Sequence, residues 1–323
     1  MKRIGVLTSG GDAPGMNVAI RSVVRTAVSH GLEVVGIEHG YAGLVNGQTR
    51  PLGARDVGGI IKSGGTMLKS ARCDEFRTVE GRARAAKTIA DLHIDGLVVI
   101  GGDGTYRGAE RLYEEHAVPV VGVPGTIDND IGGTEYTIGF DTAVNTAMEA
   151  IDRIRDTAES HDMLFFIEVM GRHAGFIALE VGLASGAETI LLPEVATPIE
   201  EVCEQLEAGR SAGKLSSIVV VAEGSATGDV YTVRDTVMAN TNFKNSRVSV
   251  LGHIQRGGSP TALERVWAGR MGFEAVYALI RGETCVQVAV SGSSVRLCPI
   301  SDAWTKRRVI DLKDIELNRI LAT

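Results

Sequence analysis

The sequence predicts an α/β fold divided into two domains, and three observations carry this prediction. Short apolar runs alternate with amphipathic helical stretches, glycine is abundant at 40 residues, and the chain is 323 residues long. One domain usually takes about 100 to 200 residues, so this length favours two. Strands that alternate with helices build a mostly parallel sheet covered by helices, and ligands of such folds bind beyond the carboxyl ends of the strands.

Eight apolar runs predict the strands. Each is short and bounded by glycine or polar residues, as expected for strands that are buried on both faces of a parallel sheet. The runs are residues 4–7, 34–37, 97–100, 118–123, 164–169, 189–192, 218–222 and 248–251.

One helix is predicted clearly between these strands. Apolar residues recur at three- and four-residue spacing from position 144 to position 154, the pattern of one helix face. Asp141 or Thr142 is predicted to cap its start. Glycine-rich turns near 137–141 and 251–257 predict the two places where the chain crosses between its domains.

Composition and charge narrow the function classes. The formal net charge of −7 argues against nucleic acid or an anionic membrane as the main partner, because those need a broad basic surface. The sequence has no run of about 18 apolar residues to span a membrane, and its first apolar run is too short for a signal peptide. The four cysteines lie far apart without a CxxC pair, so we expect a reducing, cytoplasmic location.

A glycine-rich segment, TSGGDAPGMN at residues 8–17, follows the first predicted strand and precedes a helical stretch. Glycines let backbone N–H groups approach a phosphate closely, and a helix N-terminus favours negative charge. The segment is neither a P-loop nor a GxGxxG motif. A phosphate site and a plain structural turn therefore both remain open at this point.

Asp103 stands among three glycines after another predicted strand, in the sequence GGDGT at residues 101–105. Its carboxylate would lie beside bare backbone, which is the setting that a hydrated Mg²⁺ on a polyphosphate needs. The alternative is a capped helix start, although a cap would need the aspartate alone and not three glycines.

Two aspartates follow a third predicted strand, in PGTIDND at residues 124–130. Asp128 and Asp130 can divide labour, since one can accept the proton of a substrate hydroxyl while the other supports a metal. The alternative is a structural turn rich in aspartate. The carboxyl ends of parallel strands share one edge, so side chains from the three turns should converge.

Arginine and histidine follow two later strands, in EVMGRH at residues 168–173 and GHIQRGGSP at residues 252–260. An arginine at a strand end can bind a phosphate through two hydrogen bonds, and His253 can donate another. A single arginine or histidine is more often an ordinary surface residue, but the neighbouring glycines favour phosphate binding here.

Together, these segments resemble the signatures of the bacterial ATP-dependent 6-phosphofructokinase family. TSGGDAPGMN, GGDGT, PGTIDND, EVMGR and GHIQRGGSP occur in the family's order, from residue 2 to about residue 285, and the last forty residues match loosely. The resemblance implies two Rossmann-like α/β/α sandwich domains with mostly parallel sheets and an active site between them. It implies an ATP-binding domain of residues 1–138 plus 252–305 and a sugar-phosphate-binding domain of residues 139–251 plus 306–323.

The resemblance also implies a reaction. A cytoplasmic, allosteric homotetramer of glycolysis would use Mg²⁺ to transfer the γ-phosphoryl group of ATP to the 1-hydroxyl of fructose 6-phosphate. The products would be ADP and fructose 1,6-bisphosphate, and neighbouring subunits would share each active site.

Individual residues take roles from the same resemblance. Asp128 is similar to the general base, Thr126 to the residue beside the attacked phosphoryl group, and Arg172 to the residue that stabilises the transferring charge. Asp103 resembles the Mg²⁺ ligand, with Asp130 supporting the metal through water. The other nucleotide contacts implied are Gly11, Tyr41, Arg72, Cys73, Arg77, Gly102, Gly104 and Thr105. The other sugar-phosphate contacts implied are Met170, Gly171, Glu223, His253, Arg256 and, from a neighbouring subunit, Arg247.

Three positions bear on the donor and the sugar. Gly104 and Gly125 leave room for the α-phosphate and ribose, whereas pyrophosphate-using relatives have Asp and Lys there, so both glycines favour ATP. Met163 stands where the family has an arginine that reaches the 6-phosphate across a subunit interface. A pyrophosphate-dependent enzyme and a kinase of a related sugar such as tagatose 6-phosphate therefore remain alternatives.

The resemblance predicts a weakened effector site. Arg21, Arg25, Arg155, Glu188 and Lys214 match residues that bind ADP or phosphoenolpyruvate between subunits. Where charged or hydroxyl partners are usual, this chain has Ala54, Gly58, Gly59, Leu215 and Ser216. We expect weak or altered allosteric control, unless other residues rebuild the site.

A non-catalytic sugar-phosphate sensor is the alternative from another class. Asp103, Asp128, Arg72 and Arg172 are all present, and a binding module would not require all four. The sequence therefore favours an enzyme.

Overall fold

The computed structural model describes residues 1–214 and 216–322, so Leu215 of the predicted effector site lies outside the described residues. The chain divides into two compact units. The first comprises Met1–Thr126, Ile131–Thr142 and Arg256–Arg308, and the second comprises Ile127–Asp130, Ala143–Gln255 and the residues from Val309 onward.

Twelve strands are present in the described part of the chain. They are β1 Arg3–Ser9, β2 Glu33–Ile37, β3 Thr49–Leu52, β4 Gly96–Gly101, β5 Val120–Thr126, β6 Ile138–Gly139, β7 Leu164–Val169, β8 Thr189–Leu191, β9 Ser217–Ala222, β10 Ser246–Val250, β11 Val286–Ser291 and β12 Ser294–Pro299.

The α-helices alternate with these strands. They are α1 Met16–Ser29, α2 Gly40–Asn46, α3 Val79–Asp91, α4 Asp103–His116, α5 Phe140–His161, α6 Phe176–Ser185, α7 Ile199–Ser211, α8 Val230–Asn240, α9 Ala262–Ile280, α10 Asp302–Thr305 and α11 Leu312–Leu321. Short 3₁₀ helices cover Ile60–Lys62, Glu75–Arg77 and Gly252–Arg256.

The sheet of the first unit has the strand order β12-β11-β5-β4-β1-β2-β3, with β6 beside β5. Its outer strands β3 and β12 run antiparallel to their neighbours, and the other pairs are parallel. Every residue of β4, at the centre of this sheet, is buried. This burial explains the unbroken apolar run in the sequence, since a strand covered on both faces has no solvent side for polar residues.

The second unit has a parallel four-stranded sheet in the order β10-β7-β9-β8. Its core packs residues of β7, β8 and β9 against α7 and α8. The predicted α/β class with mostly parallel sheets is therefore confirmed. No helix in the described part of the chain combines the length and apolar character that crossing a lipid bilayer requires.

All eight predicted strands are present, and the predicted helix is α5. The proposed cap of that helix is wrong, because α5 begins at Phe140 and places both Asp141 and Thr142 in its first turn. The Asp141 carboxylate instead accepts a hydrogen bond from Thr261, and the Thr142 hydroxyl bonds to Glu264 at 3.1 Å. Both polar side chains therefore bond the first turn of α5 to the start of α9 within the first unit.

Candidate active site

The predicted turns of the first unit begin at adjacent strand ends. Ser9 of β1 pairs with Gly101 of β4, and Gly101 pairs with Pro124 of β5. Because the three strands are parallel, the turns that follow them leave the sheet at the same edge. The residues that the sequence predicts to bind the phosphates of a nucleotide lie at this edge.

Asp103 is the first residue of α4, and its side chain is about half exposed at 54%. Gly102 occupies the cap position and no side chain caps the helix, so the alternative of an aspartate cap is wrong. A Cβ atom added to Gly102 or Gly104 would meet no atom within 4 Å. The N-terminus of α4 therefore offers open space, backbone N–H groups and one carboxylate to a ligand.

Thr105 and Tyr41 fix the start of α4 from the protein side. The Thr105 hydroxyl donates to the Ser9 carbonyl at 3.1 Å, and the Tyr41 hydroxyl donates to the Thr105 carbonyl at 2.6 Å. Tyr41 also stacks on Phe76, with ring centroids 3.9 Å apart, and burial raises the pKa of Tyr41 well above its usual range. Tyr41 thus supports the start of α4 from the protein side, because its hydroxyl bonds to the Thr105 carbonyl.

Three further predicted nucleotide contacts lie between residues 72 and 77. Cys73 is partly buried and packs against the core cluster that contains Tyr41 and Phe76. Arg72 is exposed. Arg77 Nε lies 3.7 Å from Asp74 Oδ1. This ion pair is weak, because the Arg77 side chain is 82% exposed and the Asp74 side chain is 91% exposed. Both arginines are therefore accessible to an anionic ligand.

Arg256 lies against the first glycine turn. Its Nη1 donates to the Asp12 carbonyl at 3.1 Å, and a Cβ atom on Gly11 would stand 2.4 Å from that nitrogen. A side chain at position 11 would therefore require the guanidinium to move. The sequence assigned Gly11 to the nucleotide and Arg256 to the sugar phosphate, and the structure brings these two residues into contact.

The two aspartates after β5 differ in their exposure. Asp128 is 4% exposed and Asp130 is exposed, with Asn129 between them in the left-handed region at φ 53°. Asparagine tolerates this conformation better than most residues. Asp128 is therefore shielded from water, whereas Asp130 meets solvent. These residues group with the second unit, and Thr126, the last residue of β5, groups with the first.

In the second unit, Arg172 lies in a tight turn after β7. The Ala174 N–H donates to the Gly171 carbonyl at 2.9 Å and closes the turn. Gly171 has φ 145°, and a Cβ atom there would stand 2.4 Å from the Ala174 carbonyl oxygen. Only glycine fits at this position, and the turn leaves the Arg172 side chain exposed.

Glu223 follows β9 beside this turn, and its N–H donates to the Val169 carbonyl at 2.9 Å. On the other side of β7, the Leu251 N–H donates to the Glu168 carbonyl at 3.0 Å, and the exposed His253 follows in a 3₁₀ helix. The turn after β7, with Met170 at its start, therefore lies between the ends of β9 and β10. The second unit thus repeats the arrangement of the first, with candidate residues at adjacent strand ends.

Glu168 was missed as a candidate by sequence reasoning. Burial raises the pKa of its carboxyl, and the negative charge of Glu223 raises this pKa further. The signal in the sequence was a single charged residue near the end of an otherwise apolar strand. Two carboxyl groups and Arg172 therefore lie at one end of β7 and β9.

Arg247 lies at the opposite end of this sheet. It pairs with Phe165 near the start of β7, is exposed, and donates from Nη1 to the Ser246 carbonyl at 2.9 Å. Leu251 is four residues further on, or roughly 13 Å along an extended strand. Within one chain, Arg247 is therefore separated from the turns that hold Arg172 and His253.

Three of the predicted effector residues lie in the second unit. The Glu188 carboxylate is 7% exposed, accepts the Ile218 N–H at 2.6 Å and lies 3.7 Å from Lys214 Nζ. Arg155 donates to the Ser185 carbonyl at 2.6 Å. Glu188 thus holds the start of β9 in addition to any role in ligand binding. The other two predicted effector residues, Arg21 and Arg25, lie on α1 of the first unit.

No cluster of three or more His, Cys, Asp or Glu side chains is placed to hold a metal ion in the described part of the chain. Mg²⁺ does not require such a cluster, because it commonly binds one or two carboxylates together with substrate phosphates and water. The exposed Asp103 carboxylate beside the open N-terminus of α4 fits this mode of binding.

Comparisons with known proteins agree with the sequence signatures. A family model described as Phosphofructokinase matches residues 3–279. The chain is 58% identical over 322 residues to ATP-dependent 6-phosphofructokinase 1 of Thermus thermophilus, covering 100% of both chains. It is 52% identical over 322 residues to ATP-dependent 6-phosphofructokinase of Shouchella clausii, again covering 100% of both.

A solved structure gives the same result at the level of the fold. The chain is similar to phosphofructokinase from Saccharomyces cerevisiae with a TM-score of 0.88 and 35% identity, covering 99% of this chain and 46% of that one.

Proposed function

The chain belongs to the phosphofructokinase family, and from this premise we propose that it transfers the γ-phosphoryl group of ATP to the 1-hydroxyl of fructose 6-phosphate. The observation that best supports this activity is the full-length match to relatives named ATP-dependent 6-phosphofructokinase. The products are ADP and fructose 1,6-bisphosphate, a step of glycolysis. Cytoplasmic location is part of the same proposal.

The first unit binds ATP in this proposal. The backbone of Gly11 and of residues 102–105 receives the phosphates, because these turns leave the sheet at one edge and α4 begins there with open space. Arg72 and Arg77 are exposed cations for the same anion. Asp103 would hold Mg²⁺, which supplies positive charge against the phosphate oxygens when bound.

Asp128 is the proposed general base. Its buried carboxylate accepts the proton of the sugar 1-hydroxyl as the oxygen attacks the γ-phosphorus, and the proton later returns to water. Thr126 contacts the phosphoryl group, and Arg172 stabilises the transferring charge. The bond to the ADP oxygen breaks as the new bond forms, so the reaction relies on positioning and charge neutralisation without a covalent enzyme intermediate.

The second unit supplies most of the proposed sugar-phosphate contacts. Met170, Gly171 and Glu223 lie at the ends of β7 and β9, and His253 follows β10. Asp130 assists through water, and Arg256 contributes a guanidinium from the first unit. Arg247 belongs to the site of a neighbouring subunit in a homotetramer, which is consistent with its place at the amino end of its own sheet.

Two glycines support ATP as the donor. Gly104 faces open space, so the α-phosphate and ribose meet no side chain there. A Cβ atom at Gly125 would lie 3.0 Å from Met16 Cε and 3.1 Å from Ile100 Cγ2, so a lysine would displace the apolar packing. Pyrophosphate as the donor and tagatose 6-phosphate as the acceptor stay the alternatives. The second stays open because Met163 lacks the charge of the arginine that the family has at this position. Allosteric control is weak or altered in this proposal.

The purified protein with fructose 6-phosphate and Mg²⁺ tests this proposal, with ATP in one vessel and pyrophosphate in another. Fructose 1,6-bisphosphate should form with ATP alone. Asp128→Asn should lower kcat by about 10² to 10⁴, the contribution of a general base. Asp152→Asn, a change at an exposed position of α5, is the matched control and should retain activity. Turnover only with pyrophosphate, or an active Asp128→Asn enzyme, would contradict the proposal.

A further inference from the structure

A buried carboxamide holds the segment of residues 63–70 against the start of α1. Asn17 is 4% exposed, and its Nδ2 donates to the carbonyls of Ser63 at 3.1 Å and Gly64 at 3.0 Å. Its Oδ1 accepts the N–H of Met67 at 2.7 Å. One side chain thus satisfies three backbone groups of a segment about fifty residues away in sequence.

A second buried side chain, Thr8 at the end of β1, holds the same segment. Its hydroxyl, in a residue 0% exposed, lies 2.8 Å from the Thr66 hydroxyl and donates to the Lys69 carbonyl at 2.8 Å. Lys69 has φ 59°, a left-handed conformation that is unfavourable for most residues other than glycine. The hydrogen bond from Thr8 fixes the carbonyl of this strained residue.

The segment also contacts two glycine-rich turns of the first unit, one at Gly10 and the other at Gly258. The Ser70 hydroxyl donates to the Gly10 carbonyl. A Cβ atom on Gly64 would stand 2.3 Å from the Gly258 carbonyl oxygen, so the two backbones touch. Arg72 follows Ser70 by two residues. Its backbone position is therefore determined by where residues 63–70 are held.

We propose that Asn17 is a positioning residue for the phosphoryl donor, because its carboxamide holds residues 63–70 against the first glycine turn and so sets where Arg72 meets the nucleotide phosphates. The inference rests on the proposed function insofar as the ligand is ATP. Asn17 itself is buried beneath the segment and does not contact the ligand. Loss of its hydrogen bonds should therefore weaken nucleotide binding while leaving the sugar-phosphate contacts unchanged.

The test combines kinetics with hydrogen exchange for Asn17→Ala, Asn17→Asp and Thr8→Val. Aspartate keeps an acceptor for Met67 but loses both donated bonds and places a charge beside two carbonyls. The KM for ATP should rise about tenfold in each variant, and the KM for fructose 6-phosphate should stay within roughly twofold. Amides of residues 63–70 should exchange faster. Asn46→Ala is the control, since Asn46 is exposed and its hydrogen-bond partners, Ala42 at 2.9 Å and Arg84 at 3.5 Å, lie outside residues 63–70.

Each outcome decides the proposal. Faster exchange with an unchanged KM for ATP, or an equal rise of both KM values, would overturn it, because Asn17 would then be merely structural. If Asn17→Ala does not fold, Thr8→Val provides the same comparison. If the wild-type protein shows no turnover, calorimetric titration with Mg²⁺ and ATP replaces kinetics. About tenfold weaker binding by the variants then supports the proposal, and equal binding overturns it.

Discussion

Met163 and Arg247 lie on neighbouring strand starts in the second unit. Met163 directly precedes β7, and the Leu164 N–H donates to the Asn245 carbonyl at 3.2 Å, two residues before Arg247. Arg247 is exposed, and Met163 is partly buried. The amino ends of β7 and β10 therefore bring Met163 close to the exposed Arg247, and we expect Met163 to be a specificity position in the proposed enzyme.

Met163→Arg is expected to lower the KM for fructose 6-phosphate by about tenfold or more. One charge-assisted hydrogen bond to phosphate contributes about 1.5 to 3 kcal/mol, and 1.4 kcal/mol corresponds to tenfold in binding. The KM for ATP should not change, because the substitution lies in the second unit. Steady-state kinetics with Met163→Leu as the uncharged control measure this. An unchanged or higher KM for the sugar phosphate would count against Met163 as a specificity position.

Single residues also mark where sequence reasoning stops. The motifs located the turns around Gly11, Asp103 and Asp128, because glycine and aspartate after apolar runs are local signals. They could not show that the Tyr41 hydroxyl is used by Thr105, or that Arg256 lies against Gly11. These contacts join residues 64 and 245 positions apart, and no local pattern encodes such pairs.

Glu264 joins β6, the first turn of α5 and α9 through residues of the first unit. Its carboxylate is 0% exposed and accepts the Gly139 N–H of β6 at 2.8 Å and the Thr142 N–H of α5 at 3.2 Å. Glu264 itself lies in the first turn of α9, which Thr261 caps by accepting the Glu264 N–H at 3.1 Å. The wrong prediction of a cap for α5 has its reason here, since Thr142 bonds to a residue 122 positions away.

Burial raises the pKa of Glu264 to about 7 from its ordinary 4.5, despite the hydrogen bonds from Gly139, Thr142 and Tyr136 that lower it. The folded protein thus keeps a proton that the unfolded chain releases near pH 4.5. Stability from this group is complete below pH 4.5 and is lost as pH rises through 7. The loss is about 3 kcal/mol over this range. Tyr136 and Asp141 are the other titratable groups of this neighbourhood, and burial raises the pKa of Tyr136 beyond its usual range.

Glu264→Gln should remove this pH dependence. Between pH 5 and pH 8, the free energy of unfolding of the wild type should fall by about 3 kcal/mol more than that of Glu264→Gln. The reason is that glutamine has no proton to lose in this range. Urea titrations at pH 5, 6, 7 and 8 measure the difference. Glu80→Gln, at an exposed position of α3, is the matched control. Parallel stability curves for wild type and Glu264→Gln would show that Glu264 does not titrate there.

For the whole molecule, the chain crossings are the feature that sequence patterns marked least well. Glycine-rich turns indicated crossings near residues 137–141 and 251–257, and the contacts change unit after Thr142 and after Gln255. They also group Ile127–Asp130 with the second unit, which no sequence pattern indicated. The Gly132 N–H donates to the Ala303 carbonyl at 3.0 Å, and the Glu135 N–H donates to the Val290 carbonyl at 3.0 Å. These long-range bonds join Ile131–Thr142 to β11 and α10. The assignment of ATP to one unit and sugar phosphate to the other stays a prediction.

The proposed sharing of active sites between subunits has a direct test, because Arg247 and the turns around Arg172 lie at opposite ends of one sheet. Asp128→Asn and Arg247→Ala subunits are each expected to be impaired alone. When they are unfolded and refolded together, a site in the hybrid can combine Asp128 of one subunit with Arg247 of another. Random assembly makes about a quarter of the sites intact, so the mixture should recover about that share of wild-type activity.

Each variant refolded alone is the control, and light scattering verifies that the subunits assemble. If the refolded mixture assembles but shows only the average activity of the two variants, Arg247 acts within its own chain. That result would conflict with the geometry of β10. Arg247 lies roughly 13 Å along the strand from the turn after β10, which is too far for both to bind one phosphate. Recovery of activity would instead make the oligomer part of the catalytic site, because a single subunit would lack one cation for the sugar phosphate.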